Sequence, residues 1–132
     1  GLGDVYKRQV MQALKRVEGY KTHFLIPVKG DKLLPVSVDM ILFFYIADGN
    51  VKAVMTDGKE YLFTQTLDEL ADSLDPALFF RINRQYLISR KAVQDIDLWF
   101  NGRLAVNLIV PTLERILVSK ARVPDFKTWF TS

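Results

Sequence analysis

The chain has 132 residues, of which 49% are hydrophobic and 25% charged, and it carries a net charge of +3. These values describe a folded protein of the size of one domain and exclude a disordered tail. Because it contains no cysteine and a single histidine, the chain has neither a disulfide framework nor the ligands of a thiolate or multi-histidine metal site. No apolar run reaches the length of about 18 residues that a membrane-spanning helix needs. We therefore expect a cytoplasmic protein.

The positive charge is concentrated in the second half of the chain. From residue 79 onward there are nine Lys or Arg and four acids, a balance of +5. The first 78 residues carry nine bases and eleven acids, a balance of −2. This asymmetry favours contact with an anionic partner.

The first part of the chain shows little sign of belonging to the core. Residues 1–9 have no clear apolar period, and residues 10–17 have the spacing of a short amphipathic helix. We predict a tail and connector over residues 1–21, which would link to an upstream domain absent from this chain. The remaining residues, 22–132, form one predicted domain.

From residue 23 the pattern becomes that of short strands joined by hairpins. Asp-Gly at residues 48–49 and 57–58 is a strong hairpin signal. Pro27 and Pro35 indicate edge positions or bulges, since proline cannot donate to a sheet. The predicted strands cover residues 23–28, 33–38, 40–47, 51–56 and 61–64. Thr66 then opens a helix, with Glu69 placed to complete a capping box.

Residues 79–90 combine a strand-like period with an unusual polar content. Apolar residues at 80, 82, 86 and 88 are separated by two arginines and two amides. We interpret this stretch as one strand interrupted near Arg84, whose donors suit an anionic, hydrogen-bonding partner.

The last third of the chain continues as strands and ends in a helix. Residues 92–99 and 103–109 form a predicted hairpin, and residues 115–118 a last strand. Ser119 is placed to cap a final helix whose regular part starts near Pro124. The predicted fold class is mainly β, with about nine to ten short antiparallel strands in small sheets, one internal helix and one C-terminal helix.

The sequence offers little for catalysis. His23 stands alone, Asp95 and Asp97 share one face of a strand as solvated acids do, and no glycine-rich phosphate loop leads from a strand into a helix. We predict that the protein is not an enzyme and holds no cofactor or metal.

Nucleic-acid binding has better material. Arginine can contact guanine through two hydrogen bonds, and the amides of Asn83 or Gln85 suit adenine. Two other readings stay open: binding of single strands through an exposed aromatic residue, and a β module that recruits a protein partner along a strand edge. The basic candidates are Arg81, Arg84, Arg90, Lys91, Lys120 and Arg122, and the aromatic ones are Phe79, Phe80, Tyr86, Trp99 and Phe100.

Several motifs in order resemble a known family. The run FFRINRQYL at residues 79–87, followed by VQDI at 93–96 and VSKARV at 118–123, is similar to the LytTR family. LytTR domains are DNA-binding output domains of bacterial LytR/AgrA-type response regulators. The strand over 36–45, the turn at 56–59 and the helix that opens at Thr66 fit the same order.

The resemblance implies a largely β fold whose loops enter successive major grooves of double-stranded DNA. It also implies paired repeat sites bound by a dimer, and a receiver domain upstream in a two-component system that regulates transcription. For Arg81, a phosphate contact and an arginine pinned by backbone carbonyls or an internal acid both stay open. The implied DNA-binding residues are Asn50, Lys52, Arg81, Asn83, Arg84, Gln85, Lys120 and Arg122.

Overall fold

A computed structural model describes residues 19–132. Within this range the chain forms ten strands and two α-helices. The strands are β1 (His23–Val28), β2 (Lys32–Ser37), β3 (Ile41–Ala47), β4 (Asn50–Met55), β5 (Glu60–Phe63), β6 (Phe79–Arg81), β7 (Tyr86–Ser89), β8 (Val93–Leu98), β9 (Leu104–Leu108) and β10 (Ile116–Val118). The helices are α1 (Leu67–Ser73) and α2 (Val123–Thr131). The predicted fold class is confirmed, whereas the predicted connector helix lies outside the described residues.

A five-stranded antiparallel sheet in the order β5-β4-β3-β7-β6 forms the centre of the fold. Its middle strand β3 is apolar at all seven positions because both faces of the sheet are covered. A bulge between Ile41 and Phe43 turns Leu42 and Phe43 toward the same face.

Each face of the central sheet carries its own core. The first core lies between the sheet and β1, β2 and α1, and Phe44 is among its fully buried members. The second core lies between the opposite face, the three-stranded sheet β10-β9-β8 and α2, with Phe126 fully buried. Loops at the ends of the central strands therefore lie between two packed cores, one on each face of the sheet.

Of the two alternatives for the prolines of the first hairpin, edge positions and bulges, the structure shows edge positions. β1 and β2 form a separate two-stranded sheet, in which Pro27 faces Leu33 and Pro35 faces Leu25. Both strands are edges, so the missing amide donors disturb no inner ladder.

Two sequence expectations need correction. Residues 79–90 are not one strand: β6 and β7 pair antiparallel, Phe79 with Ser89 and Arg81 with Leu87, around a loop at residues 82–85. Ser119 caps no α-helix, because a 3-10 turn, Lys120–Arg122, follows it, and Arg122 is the N-cap of α2. Pro124 does lie in the first turn of α2, as predicted.

Candidate nucleic-acid interface

The turn between β3 and β4 presents the first pair of predicted site residues. Asp48 (φ 53°) and Gly49 (φ 76°) make a two-residue turn, with Ala47 paired to Asn50. Positive φ at both turn positions matches the twist of a hairpin and favours Asp-Gly. Asn50 is thereby exposed at the start of β4, while Lys52 is half-buried opposite Tyr45.

Asn83 organises the loop between β6 and β7. Its Oδ1 accepts hydrogen bonds from the backbone amides of Gln85 (2.8 Å) and Tyr86 (3.0 Å). Its Nδ2 donates to the carbonyl of Leu117 (3.0 Å), in β10. The amide that the sequence pattern offers to adenine is therefore used inside the protein. An asparagine side chain that accepts from the backbone two residues later forms a turn, so Asn83 was itself a turn signal in the sequence.

Arg81 is held by three separate acceptors. Its Nε donates to the carbonyl of Asn83 (2.8 Å), its Nη2 to the carbonyl of Arg84 (2.7 Å), and its Nη1 to Asp68 Oδ1 (2.5 Å). Of the two interpretations left open for this residue, the contacts are those of an arginine pinned by carbonyls and an acid. Asp68, in α1, was not predicted as part of the site, because nothing local links it to a residue 13 positions away.

Arg84 and Gln85 have the opposite character. Both are exposed, and only their backbone atoms take part in hydrogen bonds among the described residues. Their side chains therefore extend from a loop whose backbone is held by Arg81 and Asn83, and they present one charged and one amide donor group to solvent.

The segment after β10 lies against this loop. Arg122 Nη1 donates to the carbonyl of Arg81 (2.7 Å). The stem of Lys120 runs beside Gly102, with its Cε 3.5 Å from where a Cβ on that glycine would stand. Both cations are exposed in the 3-10 turn.

Hydrogen bonds join these segments into one surface. The amide of Ile46, near the β3–β4 turn, donates to the carbonyl of Gln85 (3.0 Å). Asn83 and Arg122 connect the same loop to the end of the chain. We call this surface the loop edge: residues 48–52, 82–85 and 120–122. It contains seven of the eight DNA-binding residues that the family resemblance implies, and the eighth, Arg81, lies just before it at the end of β6.

Two tyrosines lie beneath the loop edge. Tyr45 and Tyr86 stack with ring centroids 6.0 Å apart, and the Tyr45 hydroxyl donates to Glu60 Oε1. Burial, together with the carboxylate of Glu60, raises the pKa of Tyr45 to about 12. Burial and the charge of Glu114 also raise the pKa of Tyr86. Ionisation of either ring is therefore moved further above physiological pH than it is for an exposed tyrosine.

The aromatic candidates divide clearly. Phe79 and Tyr86 are buried, and Phe80 stacks on Trp129 with centroids 5.2 Å apart. Trp99 is half-buried under the guanidinium of Arg115, 4.2 Å from the ring centroid. Phe100 is 73% exposed. Its ring packs edge-on against Trp99, with centroids 5.3 Å apart. One largely exposed ring among the five candidates is little for a stacking platform.

Within residues 19–132, no three His, Cys, Asp or Glu side chains are grouped so that they could hold a metal ion. No helix in that range is both long and apolar enough to cross a membrane.

Comparison with known proteins decides the family. The sequence model of the family described as the LytTr DNA-binding domain matches residues 31–131, which is most of the chain. The chain belongs to the LytTR DNA-binding domain family. The resemblance drawn from FFRINRQYL and the motifs after it is thereby confirmed.

Curated relatives of this LytTR chain are regulators by name. It is 26% identical over 102 residues to the sensory transduction protein LytT of Enterococcus faecalis, covering 77% of this chain and 41% of that protein. It is 30% identical over 77 residues to the transcriptional regulatory protein LytR of Staphylococcus aureus, covering 58% of this chain and 30% of that protein. The chain thus spans less than half the length of these relatives.

A solved structure shares the LytTR fold. It is the LytTr DNA-binding domain of a putative methyl-accepting/DNA response regulator from Bacillus cereus. The match has a TM-score of 0.71 at 15% identity and covers 85% of this chain and 99% of the other. At this identity the likeness supports the fold alone.

Proposed function

We propose that this LytTR domain binds double-stranded DNA with sequence specificity, as the output domain of a bacterial transcriptional regulator. The observation that carries the proposal is the loop edge, where exposed basic and amide side chains from three segments share one hydrogen-bonded surface. The role is binding and not catalysis. This role is that of the output domain in a two-component response regulator. A receiver domain upstream would control DNA binding, and two copies of the protein would bind paired repeat sites as a dimer.

Individual roles follow from exposure and hydrogen bonding. Arg84 is the main base-reading residue, since its exposed guanidinium, which makes no hydrogen bond within residues 19–132, can contact guanine O6 and N7. Gln85 and Asn50 supply further polar contacts to base edges. Lys52, Lys120 and Arg122 contact phosphates, which position the protein on the duplex. Asn83 shapes the loop with its own amide.

The experiment is a titration of the full chain against a duplex site selected from a random pool, at several salt concentrations. Log affinity should fall linearly with log salt, with a slope of about −0.9 for each neutralised phosphate. No binding at low salt would overturn the proposal. Salt-insensitive binding of a protein partner that survives loss of Arg84 and Arg122 would favour the β-module alternative, and preference for unpaired strands the single-strand one.

Arg84→Ala tests base reading directly. It should reduce discrimination between the selected site and unrelated duplex by about 1–3 kcal/mol. The matched control is Arg115→Ala, which removes the same charge from a residue that stacks on Trp99, before β10. It should leave discrimination unchanged. An equal loss on all duplexes after Arg84→Ala would make Arg84 a phosphate contact.

A further inference from the structure

All three nitrogens of the Arg81 guanidinium donate hydrogen bonds within the protein. Two of them donate to the carbonyls of Asn83 and Arg84, and the third donates to the carboxylate of Asp68. The Arg81 side chain is only 21% exposed. Three of its five N–H groups are thus used inside the protein, and the low exposure gives the other two little access to a phosphate.

Asp68 holds Arg81 from a distant element. It lies in the first turn of α1, where the capping box of Thr66 and Glu69 fixes the helix start. Its side chain is 90% exposed and makes an ion pair with Arg81. The position of a helix on one side of the sheet is thereby linked to the backbone of a loop at its edge.

The carbonyl of Arg81 extends the link to the third segment of the loop edge, because it accepts the hydrogen bond from Arg122. One residue thus fixes the backbone at Arg84 and the guanidinium of Arg122. A loop ordered before binding loses less conformational entropy when it meets its ligand, and it presents its side chains in one geometry.

We propose that Asp68 and Arg81 are positioning residues that set the base-reading loop at 82–85, and that neither contacts DNA. The inference rests on the proposed function. A carboxylate that merely lies near DNA weakens binding to every duplex by repelling phosphate. Asp68, in contrast, would favour binding to the selected site, because it holds the loop in place.

The test compares Asp68→Asn with Asp72→Asn, which removes the same charge from another exposed position of α1. If Asp68 only lies near the DNA, both variants bind every duplex as tightly as the unmodified protein does, or more tightly. If it positions the loop, Asp68→Asn alone lowers discrimination between selected and unrelated duplex, by about two- to fivefold, the range of an exposed ion pair. Matching behaviour of the two variants would overturn the proposal.

Arg81→Met separates positioning from phosphate contact. A positioning residue leaves the salt slope on unrelated duplex unchanged, whereas loss of a phosphate contact reduces it by about 1. A reduced slope would overturn the assignment of Arg81.

A readout without DNA keeps this inference distinct from the proposed function. The amides of Gln85 and Tyr86 are held by Asn83, so their hydrogen exchange reports on the loop. Asp68→Asn should accelerate it by about two- to fivefold while Asp72→Asn does not. Unchanged exchange would overturn the positioning role even if DNA binds, and accelerated exchange without DNA binding would uphold it while the proposed function fails.

Discussion

At the scale of single residues, neighbours in the β6–β7 loop have different roles: one shapes the loop, and the next two face solvent. Asn83 turns its amide inward and satisfies two backbone amides and one carbonyl. Arg84 and Gln85 turn their side chains outward. Three consecutive polar residues, equally suited to DNA by type, are thus separated by hydrogen bonding.

Asn83→Ala should therefore lower the free energy of unfolding by about 1–3 kcal/mol, because the half-buried amide of Tyr86 and the carbonyl of Leu117 lose their partner. Urea denaturation measures the change. The control is Gln85→Ala, which removes an exposed side chain that makes no hydrogen bond in the described part of the chain. Its stability should stay within about 0.5 kcal/mol of the unmodified protein. Equal stability of both variants would contradict the structural role of Asn83.

At the scale of elements, α1 is short and depends on its first turn. Thr66 Oγ1 accepts from the amide of Glu69 (3.1 Å), and the Glu69 carboxylate lies within reach of the Thr66 amide (3.5 Å). Seven residues are too few for a helix to persist on propensity alone. The cap and the burial of Leu67 and Leu70 in the first core hold it in place.

Thr66→Ala should cost about 1 kcal/mol of stability through loss of the N-cap. Thermal unfolding followed by circular dichroism measures it. Thr64→Ala, at an exposed position just before the helix, is the matched control and should leave the melting temperature unchanged. If the two variants melt together, the capping box contributes nothing to the fold.

The elements also mark what the sequence can predict. Strands 33–38 and 103–109 lie within one residue of β2 and β9, because alternation and turn residues are local signals. The β6–β7 hairpin was missed because its loop carries neither glycine nor proline, and because Asn83, which does mark the turn, was interpreted as a DNA contact. The contacts that complete the loop edge join residues 13, 34 and 41 positions apart, and no local pattern encodes them.

At the scale of the whole molecule, β3 makes one cooperative unit of two cores. Ile41 and Phe44 face the first core, while Phe43 and Tyr45 face the second. The Phe44 ring packs against Phe24, Phe63 and Phe79, with centroids 5.2 to 6.4 Å apart. A strand shared in this way cannot be lost from one core and kept in the other.

Phe44→Ala should therefore destabilise both cores together, by about 3–5 kcal/mol. The two tryptophans make the experiment selective: Trp129 is buried in the second core and Trp99 follows β8, so their fluorescence reports on the side opposite to the substitution. Denaturant transitions followed by fluorescence and by circular dichroism should shift equally and coincide. Leu25→Ala, 63% exposed on β1, should shift neither. A fluorescence transition that keeps the wild-type midpoint while the circular dichroism shifts would mean that the two cores unfold separately.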